Sequence, residues 1–411
     1  MKTIAILGLG NRGGVYAKNL AKNERAKIVS VCDVKRESLQ SAKEVYGVKE
    51  ENLFTDENVF FEKKRADILI VATMDELHYR QVIKALSLGY DVLLEKPVSP
   101  VYEECKKIAE YAKETGRKVV VCHNLRYTPF YQRLKRIVVD GEIGDVVSME
   151  QSENVAFSHY MCSFVRGKWH RKEDTSPIIL QKCCHDLDII YWIIGKKCEK
   201  LSSFGSLSFY NKAHKPKDGA MNCIDCKKKD CVYDSRTLYV KFPSALDVPY
   251  GFEKTEENIM RYLSNKDNDY GKCVYEMDND VCDRQTVNMQ FEGGVTASLF
   301  MHGFAASGTH RITTVYGTKG KVSGRLEEGI WEVELYNGEK KTYDVKAEIK
   351  DGASHSGGDS KLIEDVVEYF ENGTQVLGLS LVEDSMYSHK LAFTAEESRE
   401  SGDWVQPGRE L

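Results

Sequence analysis

Gly8-Leu9-Gly10-Asn11-Arg12-Gly13 follows the apolar run Lys2 to Leu7 and precedes Val15, Ala17 and Leu20 at helical spacing. A glycine turn between a strand and a helix is suited to a phosphate. The first glycine permits the tight turn, the second lets the backbone approach a pyrophosphate, and the third brings helix against strand, while the helix N-terminus supplies free N–H groups and a positive dipole. Asn11 and Arg12 fall inside that turn and join the expected cofactor set. About twenty residues past Gly13, the run Lys27 to Val31 ends in Cys32-Asp33, where a carboxylate reaches the hydroxyls of an adenosine ribose. Together these residues predict a nicotinamide dinucleotide site. A carboxylate at Asp33 repels a 2′-phosphate and favours NAD over NADP, although Lys35 and Arg36 could pair with that phosphate if the acid swung aside.

Glu95-Lys96-Pro97 ends the apolar run Asp91 to Leu94, and Thr73 ends another, Ala66 to Thr73. Both lie at the carboxyl edge where doubly wound sheets place ligands, so Thr73, Glu95 and Lys96 are further cofactor-site candidates. A lysine beside an oxidised nicotinamide meets a like charge and partial desolvation, which favour its neutral form and let it exchange a proton with a substrate hydroxyl. A solvated loop lysine is the bland alternative.

These residues need a frame. After the glycine turn, strand and helix patterns alternate: a helix from His78 to Gly89, a strand from Asp91 to Leu94, a helix from Val101 to Thr115 and a strand from Lys118 to Cys122. This predicts a doubly wound α/β Rossmann domain over residues 1–122. In the remainder, 123–411, short alternating runs at Thr286 to Phe291, Val295 to Met301, Arg311 to Tyr316 and Trp331 to Tyr336 are broken by Gly293-Gly294, Gly317 and Gly320 and read as one sheet.

With the glycine turn and Asp33, the Glu-Lys-Pro triplet closely resembles the Gfo/Idh/MocA oxidoreductases, the family of glucose-fructose, inositol and sugar dehydrogenases. The resemblance extends over essentially the whole chain. It implies a C-terminal α+β domain with a large, mostly antiparallel open sheet, an active site between the domains, and a homodimer or homotetramer formed through the exposed sheet face. It also implies that His123, Arg126 and Tyr127 face substrate, and that Arg166-Gly167-Lys168-Trp169 and His355 to Asp359 are substrate-side loops. Arg166, Trp169, His355 and Asp359 are groups of the kind that grip sugar hydroxyls.

Asp174-Thr175-Ser176-Pro177 supplies an N-cap and an N1 proline, and Gly195 ends the pattern, so residues 177–194 are expected to form one helix. Gln181, Lys182, His185 and Asp188 fall on one face of it. The family carries an Asp four residues before a catalytic His. His185 matches the His, but Gln181 stands where the Asp belongs. Glutamine cannot charge-stabilise an imidazolium, so proton handling must lean on Lys182, on Asp188 or on substrate, with Lys182 the preferred substitute. The implied activity is hydride transfer between a sugar, cyclitol or glycoside and NAD, with Lys96, His185 and Lys182 catalytic. The rivals are an NAD-dependent glycosidase that oxidises transiently and eliminates, and a cofactor-binding regulator without turnover.

Cys223-Ile-Asp-Cys226 and Cys231 lie in a polar insertion, about 212–234, with six lysines between Lys212 and Lys229. A CxxC with a third thiol resembles part of a structural zinc site, with Cys273 the preferred fourth ligand and His214, Cys198 and Cys282 its rivals. Free thiols are the alternative, since twelve cysteines in a reduced compartment need no disulfides. Fifty-eight basic and sixty-three acidic side chains interleave to a net charge of −5, which points to neither a nucleic-acid nor a membrane partner. No apolar run approaches the ~20 residues of a bilayer span. Met-Lys-Thr-Ile enters a strand at once, without a basic n-region or apolar h-region, so a cytoplasmic protein is expected.

Overall fold

The run after Met1 forms β1 (Lys2–Leu7), with its last four residues buried. In a computed structural model, which describes residues 1–246, 248, 252–306, 308–349 and 354–408, five more strands join it. They are β2 (Ala26–Cys32), β3 (Leu53–Phe54), β4 (Ile68–Val71), β5 (Asp91–Leu94) and β6 (Val119–Val121). All pair in parallel in the order β3-β2-β1-β4-β5-β6. β4 and β6 are buried at every residue, as a sheet covered on both faces requires. The strand order reverses between β1 and β4, so the crevice beyond their carboxyl ends is the place for a ligand.

The glycine turn occupies that crevice. Gly8 has a φ of +87°, and a Cβ there would lie 2.7 Å from the Ala72 carbonyl oxygen. A Cβ on Gly13 would come within 2.0 Å of the Gly8 carbonyl oxygen, so helix Asn11–Leu20 can pack this close only without one. Gly10 has nothing within 4 Å of its would-be Cβ. Two glycines therefore answer to packing, and the third leaves space beside the helix N-terminus, whose first turn carries no acidic side chain.

The second sheet comprises β7 (Val146–Ala156), β8 (Cys198–Ser206), β9 (Arg284–Phe291), β10 (Thr296–Ala305), β11 (His310–Gly317), β12 (Gly320–Arg325), β13 (Ile330–Leu335) and β14 (Lys340–Asp344). Its order is β14-β13-β12-β11-β7-β10-β9-β8, antiparallel throughout except where β7 meets β10. Burial alternates along β9, β10 and β11, so one face is packed and the other open. Register places Ile312, Ser152, Phe300, Thr286 and Phe204 in one row across the open face. Ile312, Phe300 and Phe204 in that row are exposed.

Two late helices complete the architecture. Leu362, Ile363, Val366 and Val367 of helix Gly358–Asn372 share an apolar cluster with Ile4 and Ile6 of β1, although they follow the second sheet in sequence. A segment beyond residue 122 therefore contributes to the core of the first sheet. Helix Val382–Ser401 enters both cores, with Val382 and Met386 against the first sheet and Leu391, Ala392 and Ala395 against the second.

The single helix expected over 177–194 is divided. Ile178–Gln181 and Cys184–Ile194 are separate helices, and Pro177 is the extended N-cap of the first (ψ 146°) rather than its N1 residue. The division has a local cause: Lys96 Nζ takes the Gln181 carbonyl, and the Cys183 carbonyl restarts the ladder by accepting from Asp186 and Leu187. Gly195, at φ +67°, closes the second helix as expected. Among the described residues, no helix is long and apolar enough to cross a membrane.

Gly13→Ala must push the helix off its strand or displace the Gly8 carbonyl. It should lower stability by about 1–3 kcal/mol, the usual cost of overpacking, whereas Gly10→Ala, whose Cβ meets nothing within 4 Å, should leave stability nearly unchanged and weaken dinucleotide binding. Urea denaturation and cofactor titration of the two variants measure the contrast.

Candidate active site

Backbone and carboxylate hold the glycine turn from below. Asp33, just past β2, accepts from the Leu9 N–H at 2.7 Å through Oδ2 and from the Lys35 N–H at 2.8 Å through Oδ1. Thr73 stands beside Gly8, its methyl 3.0 Å from that glycine's would-be Cβ and its hydroxyl donating to Gln81 Oε1 at 2.6 Å. Arg12 is spent inward: Nε donates to Glu95 Oε1 at 2.7 Å, and Nη2 donates to Asp359 Oδ1 at 2.7 Å and to the Tyr16 hydroxyl at 2.8 Å. Tyr16 in turn donates to Glu95. Burial alone would raise the Glu95 carboxyl, but Arg12 and Lys96 override it and hold the group below the usual carboxylate range. Glu95 is thus an anchored anion beneath the crevice.

Lys96 leaves β5 on the next residue. Its backbone N–H donates to Glu95 Oε2 at 2.9 Å, and its Nζ reaches across to the Gln181 carbonyl at 2.8 Å. That bond joins the carboxyl edge of the first sheet to the segment carrying His185. The Gln181 side-chain Oε1 is buried and has no partner among the described residues. His185 packs edge-on against His123, with ring centroids 5.8 Å apart, and His123 packs likewise against His389 at 5.7 Å. His389 Nε2 accepts from the Val98 N–H at 2.9 Å, so Nδ1 carries the proton and donates to the Ser385 carbonyl. Burial, with Arg126 and Lys96, keeps His123 neutral, and burial with His123 lowers His389 to about 3.

Lys182, at the division between the two helices, meets a carboxylate from elsewhere. Its Nζ lies 3.4 Å from Glu153 Oε1 of β7. Glu153 is fully buried and also faces Arg311, its cross-strand neighbour on β11. Burial pushes the Glu153 carboxyl up against the pull of Arg311 and Lys182. Asp186 completes the cluster, bound by Arg311 Nε at 2.9 Å and Gln151 Nε2 at 2.8 Å. Spacing along 177–194 gives no sign of Glu153 or Arg311. The signal lies in β7, where Gln151 and Glu153 occupy buried positions between Met149 and Val155.

Model sequences of an oxidoreductase family match nearly the whole chain, its NAD-binding Rossmann fold at residues 2–123 and its C-terminal alpha/beta domain at 135–406. The chain belongs to the Gfo/Idh/MocA family. Its relatives include YteT of Bacillus subtilis (strain 168), named only provisionally as an oxidoreductase, at 26% identity over 75% of this chain and 74% of YteT. The scyllo-inositol 2-dehydrogenase (NAD(+)) of the same organism is 30% identical over 49% of this chain and 57% of that enzyme. The 2,7-anhydro-N-acetylneuraminate hydratase of Mediterraneibacter gnavus is 27% identical over 50% and 53%. With these two enzymes the match spans about half of either partner. In fold, the chain is similar to scyllo-inositol dehydrogenase of Lactobacillus casei solved with NAD(H) and scyllo-inositol, at a TM-score of 0.67 and 21% identity over 99% of both chains.

As a Gfo/Idh/MocA protein, the chain is an NAD(P)-dependent oxidoreductase, and the open Gly10 position and uncapped helix N-terminus fit a pyrophosphate. The structure redistributes several expected substrate contacts. Arg126 is buried and gripped bidentately by Asp188, at 2.7 Å from both Nε and Nη2, which also removes Asp188 as a free proton acceptor. Tyr127 is a core residue packed with Leu362 and Ile363. Asp359 is buried against Arg12 and Asn124 instead of lining a substrate loop. Arg166 is buried too, its Nε and Nη2 donating to the Lys272 and Tyr233 carbonyls. Trp169 packs on Phe164 beneath Lys168. A cavity of about 420 Å³ beside them includes Arg166, His170 and Tyr270 but neither Lys96 nor His185. The His355 side chain lies outside the described residues.

Two variants test these ties. Arg126→Met strands Asp188 in the core and should cost about 3–5 kcal/mol in urea denaturation, far more than an exposed ion pair would. For Glu95 the linkage sign follows from its depressed folded value. Its contribution is whole above the ordinary Glu value of 4.5 and is lost as pH falls through the lower folded value. Glu95→Gln should therefore flatten the acid limb of the stability–pH curve below that point while lowering the plateau above it.

Proposed function

We propose that this protein moves a hydride between a secondary hydroxyl carbon of a cyclitol, sugar or glycoside and NAD. The observation that carries this reading is the Lys96–Gln181 bond, which sets the cofactor-edge lysine against the segment bearing His185. Bound at the glycine turn, the nicotinamide supplies the hydride acceptor. His185 or Lys96 takes the hydroxyl proton, and Gln181 Oε1, unpartnered among the described residues, accepts from a neighbouring hydroxyl. Lys182, paired with Glu153, takes over the proton handling that Gln181 cannot support. The named activity of the scyllo-inositol 2-dehydrogenase relative supports a polyol substrate. Asp33, anchored through two N–H groups, favours NAD over NADP because it opposes a 2′-phosphate. The exposed row Ile312, Phe300 and Phe204 supports assembly of copies through the open sheet face.

The Lys182–Glu153 pair also favours a second reading, transient oxidation followed by elimination and return of the hydride. Elimination beside a ketone needs a second acid–base group near the first, and a carboxyl whose pKa burial raises is one. The hydratase relative, whose name states no net oxidation, is consistent with such chemistry.

Turnover with NAD and a panel of cyclitols, sugars and aryl glycosides separates the two. NADH that accumulates with the aglycone intact supports the dehydrogenase, and aglycone released without NADH sinks it. Lys96→Met and His185→Ala should each lower kcat/KM by about 10²–10⁴-fold, the usual contribution of a positioned acid–base group, with thermal stability retained. Full activity in either variant removes that residue from the chemistry.

A further inference from the structure

The cysteine insertion lies apart from the crevice and has a chemistry of its own. Cys223, Cys226, Cys231 and Cys273 line one cavity of about 20 Å³, room for a single water-sized occupant. They come from two segments that the backbone holds together: Asn222 bridges Lys272, and the Cys273 N–H donates to the Met221 carbonyl at 2.8 Å. His214, Cys198 and Cys282 are not among the residues lining it.

Arg166 forms part of the same wall, and its charge is unbalanced. Its guanidinium is buried, with Nη1 unpartnered among the described residues and no carboxylate in ion-pair contact. The nearby acids are committed elsewhere: Asp234 grips Arg236, Glu276 binds Lys215, and Asp230 binds Lys228. A buried cation left in this state is costly. Cys223 Sγ lies 3.6 Å from Arg166 Nη2 and 3.5 Å from the Ser235 N–H, two donors of the kind that stabilise a thiolate.

We propose that Cys223, Cys226, Cys231 and Cys273 bind one zinc ion as a closed tetrathiolate site. Four thiolates around a divalent ion leave two negative charges, which Arg166 partly neutralises. Four protons leave as the metal enters, and neither metal nor sulfur changes oxidation state. Among the described residues no three His, Cys, Asp or Glu side chains converge as metal ligands, so binding requires thiols to rotate inward. With no position left for water, the ion is structural. It staples an insertion whose secondary structure up to Asp234 is two short 3₁₀ turns, and through Arg166 it fixes the 166–169 loop.

The full-length protein, purified and then loaded with zinc under reductant, should carry close to one zinc per chain by plasma mass spectrometry. Cobalt substitution should give the intense thiolate-to-metal charge-transfer band of a four-sulfur site. Cys226→Ser and Cys273→Ser should each cut zinc content at least fivefold, while Cys105→Ser, buried in the first domain, should leave it unchanged. Wild-type protein that binds no zinc or cobalt beyond trace overturns the proposal without reference to whether the variants fold. So does zinc that persists in both cysteine variants, or a brown iron–sulfur chromophore.

Discussion

One guanidinium shared by two buried carboxylates organises the crevice. Arg12 belongs to the glycine-turn helix, Glu95 to the end of β5 and Asp359 to the first turn of helix Gly358–Asn372, and Asn124 also donates to Asp359 at 3.1 Å. None of the three charges is tolerable alone in that environment, so any arrangement that separates them leaves an uncompensated ion in the core. The elements that carry them are therefore held in mutual register. Lys96 inherits its position, since its peptide N–H is fastened to the same Glu95 carboxylate. A residue far along the chain thus helps to set where the cofactor-edge lysine projects.

The histidines show how the surroundings divide between charge and neutrality. His389 accepts a backbone N–H and is held neutral, and His123 is held neutral beside it. A neutral imidazole, His123, therefore packs on His185, with neutral His389 behind it, while Lys96 bonds the Gln181 carbonyl four residues before His185.

Local pattern made much of the frame legible. β5 begins and ends where its apolar run does, Gly195 caps the helix it was expected to cap, and the runs around Thr286, Val295, Arg311 and Trp331 are all strands of one sheet. Each depends on the period of side chains along a short segment, which sequence displays directly. Partners distant in sequence are another matter. Arg126 looks like a substrate contact until Asp188 closes on it, and Asp359 looks like a loop acid until Arg12 does. Gln181 signals a missing carboxylate, but the carboxylate that meets Lys182 comes from β7 through tertiary packing. A polar residue at an inward strand position was the one trace Glu153 left. The split of the 177–194 helix was equally hidden, because it depends on a lysine from the other sheet taking a carbonyl.

The two ends of the crevice are consequently built from different materials. At the cofactor end, backbone does the work: glycines that tolerate no Cβ, a free helix N-terminus, and Asp33 holding the turn by its N–H groups. Such a site depends on fold geometry and accepts one shape of ligand. Beside the divided helix, side chains from β7, β11 and that helix meet instead in a buried network of ion pairs. Gln181 stands where the resemblance leads one to expect an aspartate, and Glu153 lies alongside Lys182 in that network. Such a network lets the groups beside the crevice differ while the glycine turn keeps its shape.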